Sequence, residues 1–99
     1  TLKRSQFLPE LPTIAESGYA GFEAVGWIGI AAPAKTPGAI LDKLNAEMVK
    51  IINEPDVRER LATLAFTPVG DTRAQFDAFI KSEIAKWGKA VKESGAKAD

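Results

Sequence analysis

FEAVGWIGIAAPAKTPGAILDKLN, residues 22–45, decides how the rest of the chain is read. Its first half, Phe22–Ala32, has the pattern of a β-strand. Phe22, Ala24, Gly26, Ile28 and Ile30 alternate with Glu23, Val25, Trp27, Gly29 and Ala31. After Glu23 neither face is polar. Strands apolar on both faces belong to parallel sheets covered by helices on each side. Gly26 and Gly29 weaken a strand, which implies that something approaches the backbone there. Pro33 ends the strand. Thr36 as N-cap and Pro37 at the first helical position then open a helix to about Ile52. Ile40, Leu41, Leu44, Met48, Ile51 and Ile52 recur along it at helical spacing. One helix covers one face of a strand, so the other face and both edges need partners.

Few partners are in sight. Pro9 and Pro12 bracket an irregular start, and Thr13-Ile14-Ala15-Glu16 forms a capping box for a short helix that Gly18 stops. Pro55 opens another helix with Val57, Leu61 and Leu64 inward. Phe66–Val69 is a second strand candidate, and Gly70-Asp71 is a turn. Thr72 and Gln75 make a second capping box. It begins the longest helix, to about Ser94, striped by Phe76, Phe79, Ile80, Ile84, Trp87 and Val91, with Gly95 placed for a C-cap. The expected fold class is α/β, with three substantial helices and two strands. Two strands are marginal as a sheet. The missing strands are expected outside these residues or on a second copy of the chain, the competing reading being a further strand near Leu2.

Composition narrows the function. Thirteen basic residues balance thirteen acidic ones over 99 residues. That balance argues against nucleic acid or an anionic membrane as a chain-wide partner. The chain has no Cys and no His, which removes disulfides, thiolate metal sites and the usual general base near neutral pH. No nucleophile elbow, phosphate-cradling loop or metal-ligand cluster is present. No catalytic residue and no cofactor is expected. Asp77 with Lys81 and Glu83 with Lys86 have the spacing of surface ion pairs. Lys81, Lys86, Lys89 and Lys92 form a basic face whose aromatic neighbours lie on the opposite stripe, so a solvated face is expected rather than a nucleic-acid site. Trp27 is the candidate binding residue. It is flanked by glycines on a strand leading to a helix N-terminus, where ligands gather in open α/β sheets and anions are attracted. A core aromatic is the competing reading.

Four stretches in order carry a resemblance: LPELPTIAESGYAGFE (8–23), WIGIAAPAKTP (27–37), LNAEMVKIINEPDVRERLATL (44–64) and FIKSEIAKWGKAVKESGAK (79–97). Together they resemble the C-terminal part of the tripartite tricarboxylate transporter substrate-binding receptors, which include the Bordetella uptake (Bug) receptors. The resemblance implies the C-terminal portion of a two-lobe, type II periplasmic-binding-protein fold. Residues 1–21 would be the crossover from the second lobe and 22–99 the C-terminal part of the first. It implies a periplasmic, non-enzymatic receptor that delivers a small carboxylate-bearing solute to membrane permease subunits, with a signal peptide upstream of Thr1. Trp27 is the cleft-side position carried over. The family tends to have Gly where this chain has Ala65. The alternative is a small stand-alone module forming a homodimer through Phe22–Ala32.

Overall fold

A computed structural model describes residues 1–97. It contains three α-helices: α1 (Gly38–Ile52), α2 (Pro55–Thr63) and α3 (Arg73–Ser94). No strand occurs among the described residues, so the α/β expectation is corrected. Residues 22–33 and 66–72 are irregular. The physical reason follows from how sheets are built. A strand's amides and carbonyls are satisfied by neighbouring strands, and neither strand candidate finds one here. The period-2 pattern of Phe22–Ala32 records suitability for a sheet without supplying it.

The contacts divide the chain into two units, Thr1–Pro33 and a second from Ala34 onward. In the first, the expected short helix at Thr13 is only a series of turns, although its capping box forms. The Glu16 amide donates to Thr13 Oγ1 at 3.1 Å, and the Thr13 amide donates to Glu16 Oε2 at 2.7 Å. Arg4 Nε donates to both Glu16 oxygens at 3.0 Å, and Arg4 Nη1 donates to the Pro9 carbonyl at 3.3 Å. A side-chain clasp thus ties residues 4–9 to the turn at 13–17. The Arg4 hydrogen bond, followed by the Thr13 amide, lowers the Glu16 pKa below its ordinary 4.5. A carboxyl with a depressed folded pKa stabilises the clasp above its ordinary value and loses that contribution as pH falls through the lowered one. An NMR titration should therefore place the Glu16 midpoint below 4.5. Arg4→Ala should move it upward, and a midpoint indifferent to Arg4 would show that the clasp is open in solution.

In the second unit the helix ends follow local chemistry. α1 starts one residue later than expected. Pro37 is its N-cap residue and no side chain caps it, so the capping role expected of Thr36 is corrected. The Pro37 carbonyl instead accepts from the Ile40 and Leu41 amides at 3.0 and 3.2 Å. Pro55 does open α2. The Thr72 box is complete at α3, and Gly95 takes the left-handed conformation at its end. α2 ends in a Schellman arrangement, with the Phe66 amide on the Leu61 carbonyl and the Ala65 amide on the Ala62 carbonyl, both at 2.9 Å.

That arrangement needs a left-handed residue, and Ala65 has φ +58°. A Cβ makes this conformation costly by about 1–2 kcal/mol. Ala65→Gly should stabilise the chain by about 0.5–1 kcal/mol, because greater freedom of the unfolded glycine offsets part of the relief. The urea midpoint should rise. A fall would show that α2 ends elsewhere in solution.

The half-buried residues of the second unit include Leu41, Asn45, Met48, Val49 and Ile52 of α1, and Val57 and Leu61 of α2. Pro68, Gly70 and Asp71 of the connecting loop, and Phe76, Phe79 and Ile80 of α3, share this half-burial. α1 packs against α2. Asn45 Nδ2 donates to the Asp71 carbonyl at 3.0 Å, fixing the loop on α1. Yet no apolar residue among those described is fully buried. The chain exposes 8440 Å². The helices form, but much of the surface they would bury remains exposed.

Candidate functional site

Trp27 lies in the irregular segment of the first unit and is 44% exposed. It is therefore not a core aromatic among the described residues. The strand that was to present it is absent. A Cβ added at Gly26 would meet no heavy atom within 4 Å, so the expected close approach to that glycine is also absent.

The second unit carries one broad depression of about 820 Å³, between α1 and the start of α3. Asp42, Asn45, Thr72, Arg73, Ala74 and Asp77 line it. The capping box places Arg73 in the first turn of α3, where it reaches across to α1. Arg73 Nη1 meets Asp42 Oδ1 at 2.5 Å and the Gly38 carbonyl at 3.5 Å. Asp77, one turn further along α3, accepts from Lys81 at 2.6 Å. Thr72 and Gln75 occupy each other's amides at the helix end, at 2.9 and 3.3 Å. The depression thus offers an anion one arginine already matched by Asp42, beside a second aspartate. Like charge at close range disfavours a carboxylate ligand there. Its arrangement suits fastening α3 to α1.

The basic face of α3 is fastened to acids in the same way. Lys81 pairs with Asp77, Lys86 with Glu83 and Lys89 with Glu93. Glu83 departs from the sequence reading. It is only 7% exposed, although its spacing to Lys86 suggests a surface pair. Trp87 Nε1 donates to its Oε2 at 2.8 Å, and Lys86 lies 5.3 Å from the Trp87 ring centroid. The signal was present in the sequence. Glu83 stands four residues after Phe79 and four before Trp87, on the apolar stripe itself.

Among the described residues this chain holds helices, a half-exposed tryptophan and an open, acid-lined depression. What it is similar to then bears on what it does. Residues 1–96 match the model of the tripartite tricarboxylate transporter family receptor. The chain belongs to that receptor family. It is 42% identical over 94 residues to a UPF0065 protein from the tcbD-tcbE intergenic region of Pseudomonas sp. strain P51, covering 94% of this chain and 28% of that protein. Protein BugT of Bordetella pertussis strain Tohama I is 38% identical over 94 residues, covering 95% and 29%. A UPF0065 protein from the TAR-I ttuE-ttuC' intergenic region of Agrobacterium vitis is 35% identical over 98 residues, covering 96% and 28%. The receptor chain described here thus spans less than a third of the length of these relatives. Its family consists of transport receptors rather than enzymes. No helix among its described residues is long and apolar enough to cross a membrane.

Proposed function

We propose that this chain works as part of a periplasmic receptor that binds a small carboxylate-bearing solute and delivers it to the permease subunits of a tripartite tricarboxylate-type transporter. The match of residues 1–96 to the receptor family carries the reading. The acid-lined depression and the wide exposure of apolar side chains support a supporting part in a larger receptor over a complete binding site. In this proposal residues 1–21 form the crossover from the second lobe, and residues 22–99 belong to the first. Trp27 then faces the cleft between lobes, and a leader upstream of Thr1 directs export.

The test is a chimera in which this chain replaces the matching segment of the Pseudomonas sp. strain P51 relative. Trp27 is best read with Trp87→Phe in place, to limit the fluorescence contributed by this segment. Citrate or a dicarboxylate such as succinate should bind at micromolar concentration and shift the emission of Trp27, with Trp27→Phe removing that shift. A folded chimera that binds no carboxylate sinks the receptor proposal. Binding whose emission change survives Trp27→Phe removes Trp27 from the cleft.

One observation favours a second reading. Ile28 and Ile30 are 80% and 71% exposed within the Phe22–Ala32 segment. A stand-alone module would cover them by pairing that segment with a second copy. Sedimentation of the 99-residue chain at micromolar concentration separates the two readings, since only the module forms a discrete dimer that Ile28→Asp dissolves.

A further inference from the structure

We draw no further inference here: the strongest candidate, the exposed apolar stripe of Ile84, Trp87 and Val91 along α3, carries nothing because nothing in the structure shows what covers it.

Discussion

Calorimetric titration of the 99-residue chain with citrate or succinate should give no binding heat at micromolar concentrations. Micromolar affinity requires about 8 kcal/mol. An exposed helix N-terminus contributes typically 0.3–1 kcal/mol to holding an anion. The two ends bearing on the question, at α1 and α3, fall far short together. The α3 end is further compromised, since Thr72 and Gln75 engage each other and Arg73 is held by Asp42. Asp77 adds a negative charge to the same depression. The P51 chimera is expected to bind where this chain does not, because affinity there comes from enclosing the solute between lobes. Micromolar binding by the isolated chain would show a complete site within these residues and refute the proposal that it is part of a larger receptor.

Gly70→Ala should lower the urea midpoint of the chain by about 1–2 M. Gly70 has φ +74°, in the left-handed region. A Cβ there costs about 1–2 kcal/mol, and chains of this size lose about 1 kcal/mol of stability per molar urea. The new methyl would also stand 3.4 Å from Ile52 Cδ1 and 3.7 Å from Val49 Cγ1. Those are ordinary contacts, so backbone strain is the larger effect. The loop can relieve that strain only by moving off α1, which would endanger the neighbouring Asn45 to Asp71 hydrogen bond. Asn is tolerated in this conformation better than Ala, so Gly70→Asn should cost less. Equal losses from both substitutions would place the damage in packing rather than in φ.

Local chemistry was legible in the sequence wherever a structure closes on itself within a few residues. The Thr13 and Thr72 boxes, Pro55 at the start of α2, Gly95 at the end of α3 and the length of α3 all depend on hydrogen bonds reaching three to five residues along the chain. The same locality explains Ala65, where a left-handed residue is needed to finish α2 whether or not glycine occupies the position. Glu83 was misread because its spacing to Lys86 fits a surface pair, while its place on the apolar stripe, four residues before Trp87, leaves it buried at 7% exposure with the Trp87 indole on its carboxylate. The candidate site was the least legible feature. Trp27 sits on a segment whose strand pattern is clear and whose strand does not form. The pattern of Phe22–Ala32 established that this segment suits a sheet interior. Only tertiary structure could decide whether a sheet exists, because each strand hydrogen bond needs a partner distant in sequence, and among the described residues none is provided.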